Sequence, residues 1–325
     1  MDRRMISCLC FVTIAIFPMR FGEAQAQRER IKVSYPATAM SLLPLFVGAH
    51  LGPYEQEGLQ AELVRMSGNL IPAALLTGGL DYTTSSDAPV VAAQSGLPIR
   101  LLAAMEVKTP LSLVVRPEIK TVADLKGKAI GVSRSGTTTD YIAREIVRHF
   151  GLNPDRDITT LGLSDQSSRL ISLQAGTVHG AILDAPNDVK AESMGFRILA
   201  FSGDVLPDLL VGGLGTSVAK IQNERSQVKR VLRAFIRSQM MTVDKPDVVI
   251  PFVMRFWKID RPTAEKGYNL VVKTFARDGT PTPESLTQAI QRGAQIAKSS
   301  RALTPEDFFA RDLLEEVQRE MGLRK

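Results

Sequence analysis

A short polar loop in the middle of the chain has the composition of an anion-binding site. Ser135, Gly136, Thr137 and Thr138 lie between an apolar run predicted to be a buried strand and a predicted helix. Glycine lets the backbone approach a ligand, while hydroxyls and the free N–H groups at a helix N-terminus donate hydrogen bonds. The loop therefore predicts contact with an oxyanion or another polar ligand, although simple helix capping also explains Thr137.

Histidine and cysteine do not form a reactive or metal-binding pattern. His50, His149 and His179 are far apart in the sequence, and none has another at metal-ligand spacing. Cys8 and Cys10 both lie in the N-terminal apolar run, so the remaining chain has no disulfide, thiolate metal site or cysteine nucleophile. We expect no catalytic residues, no metal and no cofactor.

The recognisable enzyme motifs are equally weak. Residues 217–220 read Ser-Val-Ala-Lys, the Ser-x-x-Lys of penicillin-recognising enzymes, but the other two motifs of those enzymes are missing. Neither Gly-x-Ser-x-Gly nor a phosphate-binding Gly-x-x-x-x-Gly-Lys-Ser/Thr occurs. We interpret the four-residue match as coincidence and expect a protein that is not an enzyme.

The N-terminus has the three parts of a secretory signal peptide. Arg3 and Arg4 precede an apolar run at residues 5–17, and Ala24-Gln25-Ala26 fits the small-x-small cleavage rule. The pattern predicts a signal peptide over residues 1–26, cleavage after Ala26 and export to the periplasm. The alternative, an uncleaved membrane anchor, requires a longer apolar run than this one.

Composition is that of a soluble globular protein. The 325 residues are 44% hydrophobic and carry a formal net charge of +6, and the mean hydropathy is +0.02. Dense Lys/Arg runs with interleaved aromatic residues do not occur, which argues against a nucleic-acid partner. The length allows one large or two medium domains.

The first hundred residues alternate between short apolar runs and segments with a helical period. Strands are predicted at residues 31–35, 61–66, 80–84 and 99–105. Helical patterns lie between them at residues 41–52 and 71–77 and from Asp87 onward. Such alternation is typical of an α/β fold with mainly parallel sheets.

A faint internal repeat indicates two similar halves. Residues 74–82 align with residues 172–180 without gaps, and each segment reads as a helix, a glycine stop and a buried strand. Chance similarity between such common units is the alternative.

Two strand-like segments, residues 110–117 and 211–218, are interpreted as crossovers between the halves. They predict a discontinuous lobe I at 27–112 plus 206–325 and a lobe II at 113–205. The glycines at positions 212, 213 and 215 suit either a hinge or a strand bulge.

Four segments carry a family resemblance that extends over nearly all of the chain after the signal peptide. They are residues 43–59, residues 73–81, residues 122–132 (Val-Ala-Asp-Leu-Lys-Gly-Lys-Ala-Ile-Gly-Val) and residues 173–176. Together they resemble the periplasmic solute-binding proteins of ABC transporters, in the group that binds sulfonates, nitrate and thiamine precursors. The resemblance implies a type II periplasmic binding protein fold. Its two lobes are each a mainly parallel sheet wound with helices and are joined by two hinge crossovers.

In such proteins the ligand lies between the lobes, at the carboxyl ends of strands. The residues of this chain that match those loops are Ser41, Ser67, Asn69, Ser86, Asp87, Ser135, Gly136, Thr137, Thr138 and Asp184. Arg134 is the one arginine in these loops, and Tyr35, Tyr54 and Tyr82 are the nearby aromatic residues. The sequence therefore predicts neither a strong ion pair with the ligand nor a pair of aromatic rings that stacks on it.

The resemblance implies the solute-binding component of an ABC importer. The expected ligand is a small organic anion such as a sulfonate or carboxylate, and the expected partners are a permease and its ATPase, with the binding protein a monomer. A binding component for a sensor or another carrier is the alternative. A third possibility is an enzyme related to pyrimidine-precursor synthesis, whose cysteine-rich iron site this chain lacks.

Overall fold

A computed structural model describes residues 28–85, 87–206 and 208–324, so the predicted signal peptide lies outside the described residues. These residues form ten strands: β1 (Glu29–Tyr35), β2 (Leu59–Arg65), β3 (Tyr82–Ser85), β4 (Ile99–Ala104), β5 (Leu111–Val115), β6 (Lys128–Val132), β7 (Ile158–Gly162), β8 (Gly180–Asp184), β9 (Arg197–Phe201) and β10 (Gly212–Ser217). The strands predicted at residues 31–35, 61–66, 80–84 and 99–105 correspond to the first four, with ends that shift by one or two residues.

Fourteen helices occur in the same described part of the chain: α1 (Leu43–His50), α2 (Pro53–Gln56), α3 (Ile71–Leu76), α4 (Asp87–Gln94), α5 (Thr138–His149), α6 (Gln166–Gln174), α7 (Asn187–Ser193), α8 (Ser202–Val205), α9 (Val218–Asn223), α10 (Arg225–Asp244), α11 (Pro246–Trp257), α12 (Arg261–Val272), α13 (Pro283–Ala297) and α14 (Arg311–Glu320). Short 3-10 turns at Met40–Leu42, Gly68–Leu70, Val122–Leu125 and Pro305–Asp307 complete the set.

The strands form two five-stranded sheets with the same plan. Their orders are β2-β1-β3-β10-β4 and β7-β6-β8-β5-β9. In each sheet three neighbouring strands are parallel, and the fourth strand in the order is antiparallel to both of its neighbours. This arrangement confirms the predicted α/β class with two mainly parallel sheets.

The internal repeat has a structural counterpart. Its first copy ends α3 and enters β3, and its second copy ends α6 and enters β8; β3 and β8 hold the same place in their sheets. The shared glycines, Gly78 and Gly176, have φ angles of 75° and 78°. Both therefore end a helix in the left-handed region, where glycine carries no steric cost.

The glycines at 212, 213 and 215 have a different position from the hinge that the sequence suggested. They lie in β10, which runs inside the first sheet between β3 and β4. The register of β10 against β4 shifts between Leu214 and Gly215, so the bulge was the better of the two interpretations. The chain instead passes between the sheets in the segment after β4 and in the segment between β9 and β10.

Helix α10 is the centre of the larger core. Its apolar stripe of Val228, Val231, Leu232, Phe235 and Ile236 is fully buried, because this face of the helix packs against α1 and belongs to the core cluster that includes residues of the first sheet. A separate cluster between α5 and the second sheet forms the core of the other half. Among the described residues, no helix combines the length and the apolar composition needed to cross a membrane.

Gly213→Ala should destabilise the fold, because the added Cβ would lie 2.6 Å from the Ala103 carbonyl oxygen and 2.7 Å from Leu101 Cδ1. We expect a loss of about 1–3 kcal/mol in the free energy of unfolding, the usual cost of overpacking a rigid interior. Urea denaturation followed by circular dichroism measures it.

Gly68→Ala is the matched control, since its Cβ would meet no heavy atom within 4 Å. It should leave stability unchanged or raise it slightly, because alanine restricts the unfolded chain. Equal stability of the two variants would contradict the close-packing role of Gly213.

Candidate ligand-binding cleft

Loops that follow parallel strands of both sheets meet at the junction between the sheets. Ser41 lies in the turn after β1, Asp87 follows β3, Thr138 begins the helix after β6, and Asp184 is the last residue of β8. Ligands of open α/β sheets bind outside the carboxyl ends of such strands. We call these four residues and their contacts the cleft.

The first contact across the cleft joins the β1 turn to the end of β8. The Ser41 hydroxyl donates a hydrogen bond to Asp184 Oδ2. Beside it, the Met40 N–H donates to the Ala185 carbonyl oxygen at 2.8 Å. One half of the molecule thus supplies two donors, and the other supplies the acceptors.

A second contact uses an arginine from the C-terminal helices. Arg292 of α13 pairs with Asp87, its Nε donating to Asp87 Oδ1 at 3.0 Å. Its Nη2 also donates to the Leu210 carbonyl oxygen at 2.8 Å. From the other half, the Thr138 hydroxyl donates to Asp87 Oδ2 at 3.2 Å. Asp87 is therefore held by groups from both halves.

The remaining predicted residues lie further out. Ser67 and Asn69 are exposed in and beside the turn after β2, and Ser135 and Gly136 are exposed in the loop before α5. Ser86 lies outside the described residues. The structure therefore pairs Ser41 with Asp184 and Thr138 with Asp87 across the junction, whereas Ser67, Asn69, Ser135 and Gly136 are exposed.

Most donors of the loop before α5 are engaged within the loop itself. The Gly136 N–H donates to Asp140 Oδ2 at 2.9 Å, and the Thr137 hydroxyl donates to the Arg134 carbonyl oxygen at 2.6 Å. The Ser133 N–H donates to Thr139 Oγ1 at 2.9 Å. Thr137 is the N-cap of α5, but its side chain does not make the capping bond. An anion cradle at 135–138 remains a prediction.

Two carboxyl groups are buried in or beside the cleft. Asp184 is 3% exposed and Glu106, which follows β4, is 1% exposed. Burial raises the pKa of Asp184 to about 8, against the opposing effect of the Ser41 hydrogen bond. Burial also raises the pKa of Glu106 well above its ordinary value, and the charge of Asp184 adds to the effect.

Glu106 and Arg292 were both missed by the sequence analysis. Glu106 stands directly after an apolar strand, which is the one signal that could have selected it. Arg292 lies within a helix whose other face is polar, and no local pattern distinguishes it from a surface arginine. Conversely, Tyr54 and Tyr82 are fully buried, and Tyr35 packs against the same core, so these rings do not form a stacking pair for a ligand.

Metal-binding geometry is absent from the described ranges. Within residues 28–85, 87–206 and 208–324, histidine, cysteine and carboxylate side chains do not gather in any group of three or more that could hold a metal ion. The chemistry on offer at the cleft is hydrogen bonding and ion pairing.

Comparison with known proteins identifies several that are similar to this chain. Residues 40–248, more than half of the chain, match the sequence model of the NMT1/THI5-like family. The chain is 23% identical to the riboflavin-binding protein RibY of Chloroflexus aurantiacus over 247 residues, which cover 74% of this chain and 69% of that protein.

Solved structures show the same fold. The alkanesulfonate-binding protein SsuA of Xanthomonas axonopodis pv. citri, bound to MOPS, superposes with a TM-score of 0.68 and 19% identity over 88% of this chain and 100% of that one. The periplasmic nitrate-binding protein NrtA of Synechocystis PCC 6803 gives a TM-score of 0.71 and 14% identity over 90% and 89%. The fold is therefore that of the two-lobed periplasmic binding proteins, as the sequence predicts.

Asp184→Asn should change how stability depends on pH. A carboxyl group with a raised pKa in the folded state stabilises the fold fully below its unfolded pKa near 4, and this contribution is lost as pH rises through about 8. Relative to the variant, the wild type should lose up to about 1.4 kcal/mol of unfolding free energy per pH unit between pH 5 and 8. Urea titrations at each pH measure the difference.

Asp165→Asn is the control, because Asp165 is an exposed N-cap whose pKa is lowered by its hydrogen bonds to Ser168. Its stability curve should run parallel to that of the wild type over the same range. Parallel curves for Asp184→Asn as well would mean that Asp184 is ionised in the folded protein at neutral pH.

Proposed function

The chain belongs to the NMT1/THI5-like family, and on that premise we propose that it is the extracytoplasmic solute-binding component of an ABC importer. The protein captures a small organic anion or a related solute between its two lobes. It then delivers the solute to a membrane permease that is driven by its ATPase. It acts as a monomer in the periplasm, after removal of the N-terminal signal peptide, and makes or breaks no covalent bond.

The observation that carries the proposal is the set of hydrogen bonds between the halves at the carboxyl ends of their strands. Ser41 reaches Asp184, and Thr138 reaches Asp87. Ligands of this architecture lie between these loops. Relatives whose names record binding of riboflavin, alkanesulfonate and nitrate support solute capture as the common activity.

The two connections between the sheets suit a hinge. They run side by side, since the Ser202 hydroxyl donates to the Thr109 carbonyl oxygen at 2.8 Å and accepts from the Leu111 N–H at 3.1 Å. A few residues at such a place absorb the backbone rotation of domain closure. We accordingly propose lobe I at 27–112 plus 206–325 and lobe II at 113–205.

Capture should proceed by closure. In the open form the solute contacts one lobe, and rotation about the two connections brings the other lobe onto it. The contacts of Ser41 with Asp184 and of Thr138 with Asp87 then hold the closed form and exclude water. The permease accepts the solute when the lobes separate again.

Solute capture predicts a ligand-dependent rise in stability. The protein from residue 27 onward, refolded from denaturant to remove carried-over solute, is screened by thermal shift against alkyl sulfonates, taurine, nitrate, aromatic carboxylates and pyrimidine thiamine precursors. A solute at one hundred times its dissociation constant should add about 2.7 kcal/mol to the free energy of unfolding. Small-angle scattering of the complex should report a more compact particle.

Thr138→Val tests whether the response comes from the cleft, because it removes the hydroxyl that reaches Asp87 and keeps the side-chain shape. It should weaken the thermal shift of any hit. Thr287→Val, at an exposed position of α13 where the hydroxyl bonds only its own helix, is the control and should respond as the wild type does. A broad panel without any shift, together with unchanged scattering, would contradict solute capture.

A further inference from the structure

Two buried carboxyl groups at the junction each keep one oxygen without a hydrogen-bond partner. These atoms are Oδ1 of Asp184 and Oε2 of Glu106, judged against the residues that the structure describes. Both side chains are more than nine-tenths buried. The two groups are also close enough for the charge of Asp184 to oppose ionisation of Glu106. The site therefore offers acceptors in a dry place.

The surrounding residues do not neutralise this pair. Across residues 28–85, 87–206 and 208–324, neither carboxyl group forms an ion pair with a lysine, arginine or histidine within 4.0 Å. The charge of Asp184 acts on the Arg169 guanidinium of α6, but Arg169 donates to the Ile182 and Leu163 carbonyl oxygens.

Other polar neighbours are already matched with protein groups. Asp188 of α7 accepts from the Ser112 hydroxyl at 2.7 Å and from the Val189 N–H at 2.7 Å. The Ser41 hydroxyl donates to Oδ2 of Asp184, and the backbone N–H groups of Ser41 and Ala185 also oppose the rise in its pKa. The backbone N–H groups of Glu106 and Gly212 oppose the rise in the pKa of Glu106. One acceptor on each of the two carboxyl groups remains unmatched, and on the Asp87 side of the cleft so does the Nη1 donor of Arg292.

A purely structural role for the two acids leaves the same atoms unmatched. A protonated carboxyl group needs an acceptor for its O–H, and an ionised one needs a donor or a positive charge. Buried polar groups in folded proteins are nearly always satisfied by protein, water or ligand. Exceptions at a cleft therefore point to what the cleft binds.

We propose that the solute is held through a protonated amine or a comparable N–H donor group that lies between Asp184 and Glu106. The inference rests on the proposed function and narrows it from organic anions in general to amine-bearing solutes, such as amino sulfonates and amino acids. An ammonium group has three donors and a positive charge, so it satisfies both free oxygens and offsets the repulsion that would arise when the acids ionise.

Proton release is the chemical signature of this arrangement. In the absence of solute, Asp184 has a pKa raised to about 8 by burial and is mostly protonated at pH 7. An ammonium group placed beside it favours the carboxylate, so the carboxyl proton leaves to solvent while the amine keeps its own protons. Binding of an amine should therefore release a proton at pH 7, whereas binding of the matching compound without the amine should not.

The experiment compares matched solutes by isothermal titration calorimetry of the refolded protein. The probes are taurine against ethanesulfonate, β-alanine against propanoate, and 4-(aminomethyl)benzoate against 4-methylbenzoate. Each is measured in two buffers of different ionisation enthalpy at pH 7. We expect the amine of at least one pair to bind tenfold or more tightly than its partner and to release a proton.

Variants assign the effect to the two acids. Asp184→Asn keeps the shape of a neutral carboxyl group, so the fold should survive, and it should lower amine affinity tenfold or more and abolish proton release. Glu106→Gln should lower the affinity similarly. Asp165→Asn is the control, since Asp165 is exposed and accepts hydrogen bonds from Ser168, and it should change the affinity less than threefold.

Other outcomes separate this inference from the function on which it rests. A compound that binds the cleft equally well with and without its amine, unaffected by Asp184→Asn, overturns the inference and keeps solute capture. If no probe binds, mass spectrometry of the solute released from natively purified protein shows whether the bound compound contains an amine. A released compound without a basic nitrogen overturns the inference, and one with an amine supports it. No released compound and no binding counts against both.

Discussion

Polar groups buried where the two sheets meet must find partners across the junction, and this requirement organises the rest of the structure. Water cannot reach Asp184 freely, so Ser41 from the other half satisfies one of its oxygens. The adjoining backbone bond from Met40 to Ala185 fixes the register between the halves. At Gly267 of α12 a Cβ would lie 2.8 Å from Met40 Sδ and 3.4 Å from Ala185 Cβ, so the C-terminal helices close tightly over the same contact.

The sequence predicts those parts of this arrangement that local chemistry determines. Apolar periodicity gives the four strands of the first hundred or so residues, because burial of one face is a property of neighbouring residues. Ser41, Asp87 and Asp184 were predicted because polar residues that end parallel strands gather at one edge. Arg292 pairs with a residue 205 positions away, and such a pairing has no local signature. Glu106 was not predicted, because its environment depends on β10, which returns beside it and whose Gly212 leaves room for the carboxylate.

The loop at 135–138 shows that composition does not reveal which donors the protein itself already uses. Its glycine and hydroxyls are those of an anion cradle, yet Asp140 and Arg134 already engage the Gly136 N–H and the Thr137 hydroxyl. Thr138 reaches across to Asp87, whose charge is in turn balanced by Arg292. The Gly136, Thr137 and Thr138 donors are therefore committed, and the buried groups that keep free capacity here are the acceptors of Asp184 and Glu106 and the Nη1 donor of Arg292.

Unmatched acceptors also bear on how a two-lobed protein distinguishes an empty cleft from an occupied one. Closure removes water from Asp184 and Glu106, so closing without a solute leaves their free oxygens unsatisfied and opposes the closed state. A solute that supplies the missing donors removes this penalty in the closed form, where it touches both lobes. Its interaction free energy with the open form is smaller. Only such a difference in interaction shifts a conformational equilibrium. The buried carboxyl groups would thus couple solute binding to closure. The hydrogen bonds between Ser41 and Asp184 and between Thr138 and Asp87 set the geometry of the closed cleft that the solute must fit.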